Sequence, residues 1–209
     1  MNLQGARRGM WTVAALVFAG VLALLISTRA KRRHFNVHAL PDAPFALADF
    51  NRLASFSLVD QEGREFTRNN LFGRVWIVDL VFTRCAGQCP LMQSRVARLL
   101  SEISDNRIGA LSISVDPAHD TPEALRAYAQ RLKADTSRWT FVTGSAPTIN
   151  ALAKEGLRLS GDSAEPAAHS TRLVLLDREA RVRGYYDSED DGALERLRRD
   201  IAAVLAEKT

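Results

Sequence analysis

Residues 75–91 read Val75-Trp-Ile-Val-Asp-Leu-Val-Phe-Thr-Arg-Cys-Ala-Gly-Gln-Cys-Pro-Leu91. The stretch opens as an apolar run of strand length and breaks at Thr83-Arg84. It then delivers the only two cysteines of the chain, Cys85 and Cys89. Pro90 follows at once, and after it Leu91, Val96, Leu99, Leu100 and Ile103 recur near one face of a helix. A thiol at a helix N-terminus meets the positive end of the macrodipole, which favours the thiolate. Three residues separate the cysteines, where the usual dithiol redox motif has two. That spacing is about one helical turn, so both sulfurs can converge on one point, which suits a soft ion such as Cu(I) or zinc. Two thiolates make an incomplete metal site, so a third ligand is required elsewhere. On the residues alone, dithiol redox chemistry, metal binding and a structural crosslink all stand open.

Working outward, the central strand covers residues 74–82. Before it, Phe56–Asp60 and Arg64–Thr67 read as a hairpin turning at Glu62-Gly63. Asn69–Gly73 reads as a single turn. After it come a helix, a strand over Ile108–Val115, and a helix from Thr121-Pro122, with Thr as N-cap and Pro at the first helical position, to Ala134. A short strand Trp139–Thr143 and a helix over Ala146–Glu155 follow. A second hairpin spans Thr171–Asp177 and Arg181–Tyr186, and Gly192–Glu207 forms a closing helix. Strand–helix–strand units pair in parallel, and the last hairpin adds antiparallel strands. The fold class is therefore α/β, a thioredoxin-like mixed sheet with flanking helices and the two cysteines at a strand-to-helix junction.

The 209 residues carry a net charge of +4, but the excess is local. Residues 1–33 hold six basic residues and no acid, which leaves 22 basic against 24 acidic residues in the remainder, a net of −2. This argues for membrane contact and against a nucleic-acid partner. Met10–Thr28 is a run of nineteen uncharged residues, long enough to span a bilayer as a helix, and it ends in a basic cluster rather than a cleavage site. The expected organisation is a tail at 1–9, a transmembrane anchor at 10–28, a linker at 29–54 and a soluble domain at 55–209. Basic residues flanking the span would by themselves place the domain in the cytoplasm.

Of the four histidines, His34 and His38 lie in the linker, His119 lies in a strand-to-helix loop, and His169 stands just before a strand. Three motifs together carry a resemblance. Phe82-Thr-Arg-Cys-Ala-Gly-Gln-Cys-Pro90 resembles the Cys-x-x-x-Cys-Pro element of the Sco/SenC family of membrane-anchored copper proteins. Ser114-Val-Asp-Pro-Ala-His-Asp-Thr-Pro122 is similar to that family's Ser-Val-Asp-Pro-x-x-Asp-Thr-Pro segment, and His169-Ser-Thr171 to its distal histidine element. The resemblance covers about residues 50–207. It implies copper, as Cu(I) or Cu(II), bound by Cys85, Cys89 and His169, with Cys85 and Cys89 also able to form a redox-active disulfide. Asp116 and Asp120 are the candidates for supporting groups beside the site.

The function implied is that of a metallochaperone rather than an enzyme. It delivers copper or maintains thiols while the CuA site of cytochrome c oxidase is assembled. Its partners would be the oxidase subunit carrying that site and other copper carriers or thiol reductants. The rival readings are a membrane-anchored thiol–disulfide oxidoreductase and a redox or copper sensor. The resemblance also overrides the charge count on topology. It implies a single-pass inner-membrane protein whose domain faces the periplasm, or the intermembrane space in a eukaryote. The motif interior departs from the commoner Cys-Pro-Asp-x-Cys: Ala86, Gly87 and Gln88 leave out a carboxylate beside the thiols.

Overall fold

In the computed structural model the described residues are 51–85 and 87–207. The expected anchor, most of the linker, His34, His38 and Ala86 lie outside them. Among the described residues no helix is long and apolar enough to cross a membrane.

The strands are β1 (Asn51–Arg52), β2 (Ser57–Asp60), β3 (Glu65–Thr67), β4 (Val75–Val81), β5 (Ile108–Ser114), β6 (Trp139–Thr143), β7 (Arg172–Leu176) and β8 (Arg181–Asp187). The helices are α1 (Gln88–Glu102), α2 (Pro122–Leu132), α3 (Ala146–Ala151) and α4 (Asp191–Ala206). The strands form one sheet in the order β1-β8-β7-β4-β5-β6-β2-β3. β4, β5 and β6 run parallel, whereas β7 lies antiparallel to β4 and β2 antiparallel to β6. This is the mixed sheet with flanking helices expected from the sequence.

All seven residues of β4 are buried, because the sheet is covered on both faces. Val75, Ile77 and Val81 pack with Met92, Val96 and Leu99 of α1, Leu125 of α2 and Ile201 of α4. Trp76, Val78 and Leu80 pack on the other side with Leu58, Phe66, Ile149 and Leu157. A strand enclosed on both faces is apolar on both, which is why its sequence reads as an apolar run interrupted only by Asp79.

Several boundaries differ from expectation, each for a physical reason. α1 begins at Gln88, not after Pro90. Proline is tolerated there because N–H groups of the first turn have no intrahelical acceptor to lose. Cys89 therefore belongs to the helix, and Cys85 to the turn before it. Leu91 lies off the apolar face and is 49% exposed; Cys89, Met92, Val96 and Leu99, three and four residues apart, form the buried stripe. α2 stops at Leu132 because Lys133 turns left-handed at φ 53° and returns its N–H to Ala129 and Gln130, a C-terminal cap. α3 is shorter than expected and passes into a wide π-type turn at Leu152–Gly156. Two residues of the segment read as linker form β1, an edge strand paired with Val182 and Arg181, and Leu53 after it is buried.

Candidate metal centre

β4 ends at Val81, and a tight turn follows in which the Cys85 N–H donates to Phe82 O at 3.2 Å. The chain then enters α1, which presents Cys89 inward. Because β7 is antiparallel to β4, its N-terminal end lies beside the C-terminal end of β4. Carried on from the pair Val78↔Val174, the register places residue 169 level with residue 83. The sheet thus brings together residues that are distant in sequence. Ligand atoms of Cys85, Cys89 and His169 all lie within 4.8 Å of one another, and the two cysteines are not joined in a disulfide.

The imidazole is oriented from two sides. His169 Nδ1 lies 3.0 Å from the Ser170 carbonyl oxygen, which can only accept, so Nδ1 carries the proton. Nε2 is then left with its lone pair and accepts from the Cys89 thiol at 3.1 Å. The Phe82 ring meets the imidazole edge-on, with centroids 5.6 Å apart and planes at 85°. The loop carrying His169 is tied back where Ser170 N–H donates to Ser160 O at 2.6 Å. Burial lowers the His169 pKa against the opposing effect of the Ser170 contact, which keeps the ring neutral, as a ligand must be.

Cys89 departs from the expectation of a helix-stabilised thiolate. Burial, then the neighbouring Cys85 thiol, push its pKa up well beyond the ordinary range, and a bond from the Phe82 backbone offsets this only in part. Desolvation exceeds the helix-end effect because Cys89 is wholly enclosed. In the metal-free state it is a thiol donating to an imidazole, and its sulfur could become a ligand only if a soft cation displaced the proton. Two sulfurs and one neutral nitrogen form a donor set suited to Cu(I).

Asp116 and Asp120 are both buried, and they grip the chain ahead of Cys85 rather than the sulfurs. Asp120 accepts from the Thr83 N–H at 3.1 Å, the Thr83 hydroxyl at 2.6 Å and the Ser114 hydroxyl at 2.6 Å. Asp116 Oδ2 accepts from Arg84 Nη2 at 2.8 Å, so Arg84 is paired with a carboxylate instead of lying over the thiols. His119 Nδ1 lies 2.8 Å from both Arg84 Nη2 and Asp116 Oδ1. A guanidinium only donates, so this one nitrogen serves one neighbour at a time. Burial resists the charge on Asp116, but the His119 and Arg84 contacts outweigh it and hold its pKa below the ordinary value.

Phe82, Asp79 and its partner Gln93, all near the centre, escaped sequence reasoning. Phe82 looked like the last residue of a strand. Asp79 is fully enclosed beneath the site and accepts from Gln93 Nε2 at 2.9 Å. Its burial raises its pKa to about 6, against hydrogen bonds from Ser112 and Gln93. The available signal was a carboxylate inside an apolar run, with Gln93 one helical turn after Cys89.

The model of the SCO1/SenC family matches residues 47–206. The chain belongs to the SCO1/SenC family. Among relatives, it is 24% identical over 155 residues to the SCO1 protein homolog of Bacillus subtilis, covering 71% of this chain and 80% of the relative. Among solved structures, a SCO1/SenC family lipoprotein of Bacillus anthracis is similar at 31% identity and a TM-score of 0.68, over 74% of this chain and 95% of that one. BsSco, described as a member of the Sco family of cytochrome c oxidase assembly proteins with a disulfide switch, shares 24% identity at a TM-score of 0.67 over 75% and 95%. In this SCO1/SenC protein, as in the architecture expected, the cysteine pair stands where the central strand meets its helix.

Proposed function

We propose that the chain is a copper metallochaperone which binds Cu(I) through Cys85, Cys89 and His169 and delivers copper, or maintains thiols, for assembly of the CuA site of cytochrome c oxidase. The observation that carries this reading is the convergence of the three ligand atoms within 4.8 Å. A neutral, backbone-oriented imidazole facing a buried thiol has the chemistry of a soft-metal site. Solved relatives of the same fold, from Arabidopsis thaliana and yeast, are described with copper bound, and the BsSco description adds oxidase assembly. Membership of the family supports the same partner, the oxidase subunit that carries CuA. The uncharged run at 10–28 supports a single-pass anchor, with the domain on the periplasmic side or its mitochondrial equivalent.

Copper is cargo in this reading. Loading exchanges two thiol protons for one cation, and oxidation of Cys85 and Cys89 to a disulfide removes both sulfur ligands. Metal binding and disulfide formation therefore exclude each other. The test is Cu(I) titration of the purified, reduced chain in detergent. One copper per chain is expected, with affinity reduced about 10- to 100-fold or more in His169→Ala, the scale seen when even groups around a metal site are lost. Undiminished affinity in His169→Ala would exclude the ligand assignment. Thiol–disulfide turnover without copper uptake would favour the oxidoreductase.

A further inference from the structure

Arg84 immediately precedes Cys85, and its side chain is 59% exposed. Loop arginines of that exposure are usually mobile, but this one is fastened. Its contacts among the described residues fall on Nη2: a hydrogen bond to Asp116 Oδ2, and His119 Nδ1 at 2.8 Å, a nitrogen that Arg84 shares with Asp116 Oδ1. Asp116 is itself anchored, its N–H donating to Ser114 Oγ at 3.0 Å, and Asp120 clamps Thr83 next door. The guanidinium is thereby held through Nη2, while Nε and Nη1 make no hydrogen bond to the described residues and the side chain stays 59% exposed. Leu91, two residues beyond Cys89, adds one of the two large apolar side chains exposed among the described residues. The rim of the site thus combines a positioned cation with an exposed apolar group.

We propose that Arg84, fastened by Asp116 and His119, is the docking anchor for a carboxylate on the partner protein that approaches Cys85 and Cys89, with Leu91 as the adjoining apolar contact. The identity of the partner rests on the delivery reading above. The anchoring chemistry rests on the geometry. An arginine whose rotamer is already fixed loses little further entropy on binding, which is the condition under which it becomes a binding hot spot. Two thiolates with one Cu(I) carry a net negative charge, which would repel an acidic surface, and Arg84 on the rim gives such a surface a cation to meet. The partner fitted by this rim presents an Asp or Glu beside an apolar side chain near its own metal site.

The test measures association rather than copper transfer, so it does not depend on loading. The probe is the purified, metal-free CuA domain of the oxidase subunit, titrated against the reduced full chain in detergent at about 20 mM and about 300 mM salt, concentrations that straddle strong screening. Arg84→Glu should weaken Kd at least about tenfold at low salt and flatten the salt dependence, Arg84→Lys should fall between, and Leu91→Ser should weaken binding at both salts. Copper affinity, measured separately, should fall by a smaller factor than association does in Arg84→Glu, and least in Arg84→Lys, which keeps the charge. Wild-type affinity in Arg84→Glu, or no association by the wild type, overturns the anchor. Weaker copper binding with unchanged association overturns it too, since Arg84 would then act on the site. Failure of the wild type to take up copper would instead overturn the delivery reading.

Discussion

Cys89 Sγ and His169 Nε2 lie 3.1 Å apart although 80 residues separate them in the chain. The contact is a thiol donating to a neutral imidazole, because Nδ1 is committed to the Ser170 carbonyl. The metal-free protein therefore already holds the imidazole of the proposed site in place, and copper loading there would require proton loss more than movement.

Copper affinity should fall steeply with acidity. Both cysteines must shed a proton to bind, and burial pushes the Cys89 thiol up. Lower pH therefore favours the metal-free form, by about 10- to 100-fold in affinity per pH unit for one to two released protons. Competition with a Cu(I) chelator between about pH 6 and pH 8 checks this; a flat profile would mean that the thiols bind already ionised.

Phe82→Leu should weaken copper binding about tenfold while the protein stays folded. The ring packs edge-on against His169 and limits where the imidazole can turn. The Cu(II) absorption spectrum should shift with the altered geometry, and Phe82→Tyr should restore it. An unchanged spectrum in Phe82→Leu would show that the Ser170 contact alone suffices to orient the ring.

Asp79 makes stability depend on pH. Its folded pKa, about 6, lies above the ordinary 3.8 because of burial, so between those values the folded state binds more protons than the unfolded state. Stability from this group is complete below the unfolded value and declines as pH rises through the folded one, by up to about 3 kcal/mol. Asp79→Asn should remove that decline and stabilise the reduced apoprotein at neutral pH. Urea denaturation at about pH 4 and pH 8 captures most of it, from near the unfolded value to beyond the shifted one. Equal losses in both proteins would assign the decline to other groups.

Asp120→Ala should destabilise the domain by about 3 kcal/mol, because it strands the Thr83 N–H and two hydroxyls that donate to one enclosed carboxylate. It should also increase proteolysis near Thr83. A loss under about 1 kcal/mol, the scale of an ordinary surface change, would mean that the Ser114–Asp120 segment is held by its backbone alone.

Most of the sheet was legible because its strands are short apolar runs between turn signals, and Trp139–Thr143 coincides with β6 residue for residue. The Thr121-Pro122 start of α2 was readable for the same local reason: Thr121 Oγ1 accepts from Ala124 N–H at 3.3 Å. The site was only half legible. Cys85 and Cys89 announce themselves by spacing, but His169 gained its standing from a family resemblance, since nothing local to a loop histidine shows what lies across the sheet. The start of α1 was misplaced because Pro90 looked like a boundary when it was a first-turn residue. Asp79, Phe82 and the Thr83–Asp120 clamp depend on tertiary neighbours that no sequence period encodes.

β4 and β7 are joined by the pairs Trp76↔Leu176, Ile77↔Leu175 and Val78↔Val174, so the sheet works as a ruler between the thiols and the imidazole. The length of chain between them is immaterial to their spacing. Extra residues inserted after Gly161 would lengthen the surface loop and leave the centre intact. Deleting one residue between Leu173 and Leu176 would advance the strand by about 3.3 Å and turn its faces over. The imidazole would leave the sulfurs although every ligand was still present.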